Sequence, residues 1–345
     1  MVEDKMKIAL DAMGGDRAPD VMIQGAFEAL GAVGAGLEIV LVGDTKALET
    51  KLAAFPSVSN LSIVEAPEVV EMHEPPIQAL RRKKGTSIAE AMRLQKRGAA
   101  HAVISAGNTG AAVASSLLTL GRLSEVNRPA IASPLPTERG YPCIVLDVGA
   151  NAECKPINLF QFAVMGSLYM EYIFGVEHPK VGLLSIGEES SKGNDLTVET
   201  YRLLSESSLN FIGNVEGRDI LRGTSDVVVC DGFVGNVVLK LVESILGLIS
   251  SSIQKKSSAS FSGRLGALLM KPVFREVARE MNYEEYGGAP LLGIDGVTII
   301  CHGSSSPKAI SKAIEVAVNM VARNVNDHIK ENLWSRGVTK VEAGK

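Results

Sequence analysis

Asparagine recurs in short glycine-rich stretches of this chain. Asn108 stands in Ser105-Ala106-Gly107-Asn108-Thr109-Gly110, and Asn151 in Asp147-Val148-Gly149-Ala150-Asn151. Asn194 follows Lys192-Gly193, and Asn236 closes Asp231-Gly232-Phe233-Val234-Gly235-Asn236. Three further stretches have a similar build: Asp11-Ala12-Met13-Gly14-Gly15-Asp16, Ser185-Ile186-Gly187-Glu188-Glu189 and His302-Gly303-Ser304-Ser305. A carboxamide donates N–H at any pH, so asparagine beside exposed peptide groups suits an anion or a developing oxyanion. Gly14-Gly15 admits positive φ and lets another group approach the backbone closely. Taken singly, each stretch reads as an ordinary turn; taken together, they read as one anion-binding set.

The elements around these stretches give them a common place. Eight apolar runs precede or separate them: KIALDA, LEIVLVGD, LSIVEAP, HAVISAG, CIVLDVGA, KVGLLSIG, DVVVCDG and GVTIICHG. Several are continuously apolar, the mark of strands buried on both faces of a mainly parallel sheet. Amphipathic stretches lie between them. Ser87 and Glu90 form a candidate capping box for a helix that stops at Gly98, and Pro307 to Leu333 carries apolar residues at helical spacing. The fold expected is α/β, a three-layer α/β/α sandwich forming a single domain over 1–345. Residues 245–286 read as a helical insertion, because two helical patterns follow each other there without a strand. In a parallel sheet the loops leaving the carboxyl ends share one edge. The polar loops would then converge there, each opening a helix whose free N–H groups attract an anion.

Composition narrows the function. The chain has 345 residues, 46% hydrophobic and 21% charged, with a net charge of −4, so no basic field invites nucleic acid. Its four cysteines are far apart and mostly in apolar runs, which fits reduced thiols in a cytoplasmic protein. The start, MVEDKMK, lacks the build of a secretory signal, and no run of about 18 apolar residues is evident. The P-loop spacing is absent, and Gly31, Gly34 and Gly36 precede a strand where a dinucleotide fingerprint would follow one. No zinc-protease motif occurs and the five histidines are scattered. The expected site uses no cofactor and no metal, and suits inorganic phosphate or a small phosphorylated species.

In order along the chain, ALDAMGGD, SAGNTGA, LDVGAN, QFAVMGS, DGFVGN and HGSS resemble the phosphate acyltransferases of bacterial phospholipid synthesis, the PlsX family. The sequence departs slightly at Thr86-Ser87, where the family usually has two serines, and keeps the hydroxyl. The resemblance implies transfer of a long-chain acyl group from acyl carrier protein to inorganic phosphate, giving acyl phosphate. It also implies a homodimer with a fold similar to phosphotransacetylase and the isocitrate dehydrogenase group. Such a reaction asks little acid–base work: the thiolate leaving group has a pKa of about 8.5, and phosphate is itself nucleophilic. Holding phosphate against the carbonyl and stabilising the oxyanion remain.

Asn108, Asn151 and Asn236, with Asp231 and His302, are the expected catalytic residues. Asp11, Gly14, Gly15, Asp16, Gly107, Thr109, Lys192 and Asn194 are the expected phosphate site. Asp11, Asp16 and Asp231 would repel a phosphate they faced bare, so they are expected to orient donors or accept its proton. His302 also reads as a structural histidine in a glycine turn, and Cys154 either as a reduced helix-start thiol or as a covalent nucleophile. Arg81 and Lys83, in Arg81-Arg82-Lys83-Lys84, are candidates for contact with phosphate or the acidic carrier protein, against a plain solvated basic run.

The apolar stretch from Val234 to Ile253 is expected to be buried, at a homodimer interface or as a core helix. Phe261, Leu265, Leu268, Leu269 and Met270, among Arg264, Lys271, Arg275 and Arg279, read as a membrane contact near a bend at Pro272, or as packing on a partner subunit. The enzyme would then sit peripherally on the inner face of the membrane and release acyl phosphate to a membrane glycerol-phosphate acyltransferase. Transfer involving coenzyme A, a dehydrogenase on the same fold and a non-enzymatic scaffold presenting carrier protein are the competing readings.

Overall fold

The computed structural model describes residues 5–258, 260–280, 283–333 and 335–336. Among the described residues, eleven strands form one sheet: β1 (Met6–Asp11), β2 (Leu37–Gly43), β3 (Leu61–Glu65), β4 (Ala102–Ser105), β5 (Ala130–Leu135), β6 (Cys143–Leu146), β7 (Val181–Leu184), β8 (Phe211–Val215), β9 (Val227–Val229), β10 (Ala289–Leu292) and β11 (Val297–Ile300). The helices in the first half are α1 (Asp20–Val33), α2 (Thr45–Leu52), α3 (Pro76–Arg82), α4 (Ser87–Lys96), α5 (Thr109–Thr119) and α6 (Pro156–Tyr169). Those in the second half are α7 (Asp195–Ser205), α8 (Gly217–Arg222), α9 (Gly232–Ser258), α10 (Phe261–Glu280), α11 (Pro307–Ala322) and α12 (Val325–Asn332).

Strand side chains alternate between two cores. Ile8, Leu10, Ile104, Ile144, Leu146, Val227 and Val229 face the layer containing α1, α6 and α11. Ala9, Val103, Val145 and Val228 face the layer containing α4 and α5. Burial on both faces explains why these strands read as unbroken apolar runs. The eight runs are all strands. The three strands without such a run are β5, interrupted by Pro134, β8, which contains Gly213, and β10, a four-residue strand containing Pro290.

The missed strands carry the main correction. The order is β3-β2-β1-β4-β11-β10-β5-β6-β9-β7-β8. β10 is antiparallel to both β11 and β5, and β5 is antiparallel to β6. The sheet therefore reverses at its middle. The carboxyl ends of β1, β4 and β11 lie on one edge, and those of β6, β9 and β7 on the opposite edge, so the polar loops do not share a single edge. The central strands are short, four residues in β4, β6, β10 and β11. At about 3.3 Å per residue the edges stand only about 13 Å apart. Loops from both edges can reach one place over the sheet.

Local signals were also redistributed. Thr86, not Ser87, caps α4, its hydroxyl accepting from Ala89 N, while Glu90 turns to Arg93 and Arg97. The long pattern after Pro307 divides into α11 and α12 at Asn324, whose φ is +49°. Pro272 does not end its helix, since α10 continues through it.

α9 departs most from expectation as a core helix. Its first turns pack on the sheet, but Val237, Leu241, Leu248 and Ile249 are exposed. It is long and apolar enough to cross a bilayer, with mean hydropathy 1.7 over an 18-residue window that is 12% buried. In the sequence Lys240 and Glu243 interrupt the apolar run, so no unbroken stretch of that length announces it. Leu265, Leu268, Leu269 and Met270 on α10 are exposed as well. The side chains of Phe261, Arg275 and Arg279 lie outside the described residues, as do residues 1–4.

Candidate active site

A cavity of about 430 Å³ lies over the sheet where the strands reverse. Its floor includes Ile131 and Ser133 of β5, Ala289 of β10 and Ile300 of β11. One wall is formed by Thr109 and Gly110 at the start of α5 and by His302, Gly303 and Ser305 after β11. The facing wall is formed by Val148 and Gly149 after β6 and by Asn236, Leu239, Lys240 and Glu243 of α9. Loops from both sheet edges thus supply one pocket, part apolar and part hydrogen-bonding, as a small-molecule site requires.

Asp147 organises the α9 wall. Its Oδ1 accepts from Ile131 N, Gly149 N and Ala150 N at 3.0, 3.2 and 3.0 Å. Its Oδ2 accepts from Asn151 N at 2.7 Å and Asn151 Nδ2 at 2.9 Å. Burial pushes the pKa of this carboxyl up, and these donated bonds pull against that shift. Gly235 of α9 rests directly on the Asp147 peptide; a Cβ there would stand 1.9 Å from Asp147 O. That contact seats the helix and places Asn236 beside Gly149.

The asparagines separate into different roles. Asn236 has no hydrogen-bond partner among the described residues and lines the cavity, with its carboxamide against Gly149. Asn151 is committed elsewhere: its Nδ2 donates to Pro129 O at 2.7 Å as well as to Asp147. Asn108 caps α5 by accepting from Ala111 N, and its Nδ2 faces the carbonyls of Glu71, Met72 and Glu74. It positions the segment that brings Met72 to the cavity, and is not a free donor. Asn194 caps α7, accepting from Thr197 N, and neither it nor Lys192 lines the cavity.

The first loop acts from behind the wall. Asp11 is buried, not in the cavity. It accepts from Ser105 Oγ at 2.6 Å, and that oxygen accepts from Gly107 N at 3.1 Å. Burial raises the Asp11 pKa, with the Ser105 bond opposing. A Cβ on Gly14 would meet Gly107 N at 2.7 Å, so the first loop and the β4 loop touch through their backbones. Gly15 lies against Gly303, and Asp16 N donates to Gly303 O at 2.8 Å. Arg17, which the sequence reading passed over, donates to the carbonyls of Ser304 and Ser305. Gly14, Gly15, Asp16 and Gly107 therefore shape the His302 wall and do not line the cavity themselves.

Asp231 caps the start of α9, accepting from Val234 N at 2.9 Å. His302 lines the cavity, its Nδ1 2.8 Å from Ser304 Oγ and accepting from Ser304 N. A neutral ring held this way carries its proton on Nε2. Lys83 is tied to Glu74 Oε2 at 2.6 Å and Val69 O at 2.7 Å, so it braces a loop; Arg81 lies on α3 outside the cavity. Burial, Asp147 and Asp231 push the Cys154 thiol up to about 12, which disfavours the thiolate a covalent nucleophile needs. Lys240 and Glu243 were missed, although their spacing from Asn236 carried the signal: residues four and seven apart share a helix face.

The architecture defines a class. A phosphotransacetylase from Streptococcus pyogenes superposes with a TM-score of 0.59 at 16% identity, over 92% of this chain and 94% of its own. A 4-hydroxythreonine-4-phosphate dehydrogenase from Klebsiella pneumoniae superposes with a TM-score of 0.53 at 15% identity, over 92% and 99%. These likenesses establish the fold: an α/β enzyme fold with a mostly parallel, mixed sheet and flanking helices. Sequence comparison is more specific. Residues 6–328 match the family described as "Fatty acid synthesis protein", and a protein of Heliobacterium modesticaldum named "Phosphate acyltransferase" is 52% identical over 95% of this chain and 98% of its own. The chain belongs to this phosphate acyltransferase family.

Proposed function

We propose that this enzyme transfers a long-chain acyl group from acyl carrier protein to inorganic phosphate, forming acyl phosphate for phospholipid synthesis. The observation that carries the reading is the uncommitted Asn236 carboxamide in a cavity of mixed apolar and hydrogen-bonding character. The family relatives named for phosphate acyl transfer support it. A phosphate oxygen attacks the thioester carbonyl carbon and Asn236 donates to the resulting oxyanion. Collapse breaks the C–S bond, and the thiolate leaves and takes up a proton from solvent, with His302 Nε2–H at the cavity wall to donate a hydrogen bond to the departing sulfur. The products are acyl phosphate and free thiol, with no change of oxidation state. Hydroxylamine trapping of the product with acyl-carrier protein or acyl-coenzyme A as donor tests the reading. Phosphate-dependent hydroxamate from the carrier-bound donor is expected; product from the coenzyme A donor alone would replace the acyl donor, and none from either would overturn the reaction.

The exposed apolar sides of α9 and α10 support a second part of this reading. We infer that α9 buries a homodimer interface and that Leu265, Leu268, Leu269 and Met270, near Lys271, touch an anionic membrane surface. Burying a Leu or Met side chain contributes about 1.5–3 kcal/mol, and each basic residue near the surface about 1 kcal/mol, enough for reversible attachment. Amphiphilic acyl phosphate would then be released beside a membrane glycerol-phosphate acyltransferase. Leu268→Glu with Leu269→Glu is expected to abolish co-sedimentation with anionic vesicles and spare turnover in solution. Vesicle binding equal to the parent's would remove the anchor, and a 36.5 kDa particle by light scattering would remove the dimer.

A further inference from the structure

Lys240 stands four residues beyond Asn236 on α9, and both line the cavity. The other ionisable side chains in the lining are Glu243, His302 and the buried thiol of Cys301, so Lys240 is its one fixed positive charge among the described residues. No carboxylate lies within ion-pair distance of Lys240, and its ammonium has no hydrogen-bond partner, among the described residues. Lys83, which looked from sequence like a candidate anion contact, is by contrast neutralised by Glu74. Arg17, beside the opposite wall, spends donors on the carbonyls of Ser304 and Ser305. An uncommitted ammonium one helical turn from an uncommitted carboxamide provides two donors to one space, one charged and one neutral.

We propose that Lys240 is the phosphate-binding cation of this cavity. Its ammonium takes the dianion's oxygens and leaves the Asn236 carboxamide for the carbonyl oxygen of the acyl donor. A charged donor strengthens a hydrogen bond to phosphate, and a flexible lysine stem can follow the phosphate as it becomes an acyl phosphate. Glu243, three residues farther along the same wall, repels a dianion and so confines it to the Asn236 end. This assignment rests on the acyl-transfer reading for its role, but not for its binding test.

Two measurements test it. In steady state, Lys240→Ala is expected to raise the KM for inorganic phosphate about 10- to 100-fold, the span of a charge-assisted hydrogen bond, and to leave the KM for the acyl donor unchanged. Lys240→Arg, which keeps the charge, should recover most of that loss. Independently of turnover, millimolar inorganic phosphate alone should raise the melting temperature of the wild-type protein and of Lys240→Arg, but not that of Lys240→Ala. A phosphate KM and phosphate-induced stabilisation in Lys240→Ala equal to those of the wild type would overturn the assignment. So would equal losses in the Ala and Arg variants with melting curves intact. A wild type that is stabilised through Lys240 yet forms no acyl phosphate would overturn the reaction and leave the anion site standing.

Discussion

Gly235→Ala is expected to abolish turnover and lower the melting temperature. The new methyl would stand 1.9 Å from Asp147 O and 2.9 Å from Asp147 C, both backbone atoms that no rotamer change can move. Asp147 cannot retreat easily, because its carboxylate gathers the backbone amides of Ile131, Gly149, Ala150 and Asn151. α9 must therefore move instead, carrying Asn236 and Lys240 away from the opposite wall. Overpacking of this kind costs about 1–3 kcal/mol and occasionally more, while a displacement near 1 Å at reacting groups can cost about a hundredfold in rate. Gly31→Ala, on the exposed side of α1, is the control, since a Cβ there meets nothing within 4 Å. It should keep full activity. Wild-type turnover and melting in Gly235→Ala would mean that α9 is not seated on the Asp147 peptide.

Asn236→Ala is expected to lower kcat by roughly a hundred- to a thousandfold, the loss typical of one oxyanion donor, about 2.7–4 kcal/mol. Folding should be intact, because the carboxamide makes no hydrogen bond to the described protein. Asn151→Ala should behave differently. Its amide holds Pro129 O and Asp147 Oδ2 in a buried setting, so its loss is expected first as a lower melting temperature, with activity falling as the β6 loop loosens. Thermal unfolding and steady-state kinetics on the same preparations separate the two. Equal melting losses with equal kcat losses would place Asn236 in the scaffold.

These two asparagines show what could and could not be read in the sequence. Their residue type and glycine neighbours marked both as part of a polar loop set; Asn236 lines the cavity, whereas Asn151 is buried against Asp147 and Pro129 and does not. Which of them keeps free N–H groups depends on partners remote in sequence, Pro129 for Asn151 and the 71–74 segment for Asn108, so no local pattern could decide it. The buried strands were legible because burial on both faces makes them apolar throughout. β5 and β10 were not, since Pro134, Pro290 and their short lengths erase the run, and with them went the reversal that moves the site from an edge to the middle of the sheet. α9 illustrates a different limit. Apolarity announces that a face avoids water without saying whether the same chain, a second copy or lipid covers it.

Direct attack by phosphate, with no acyl-enzyme stage, can be tested by one rapid-mixing measurement. Enzyme in stoichiometric amount is mixed with the acyl-carrier thioester, and free thiol is followed with and without inorganic phosphate. Burial pushes the Cys154 and Cys301 thiols up to about 12, away from the reactive thiolate, so neither cysteine should accept the acyl group first. Thiol release is expected only when phosphate is present, matched one for one by acyl phosphate. A burst of one equivalent of thiol without phosphate would contradict direct attack and reveal a covalent acyl-enzyme.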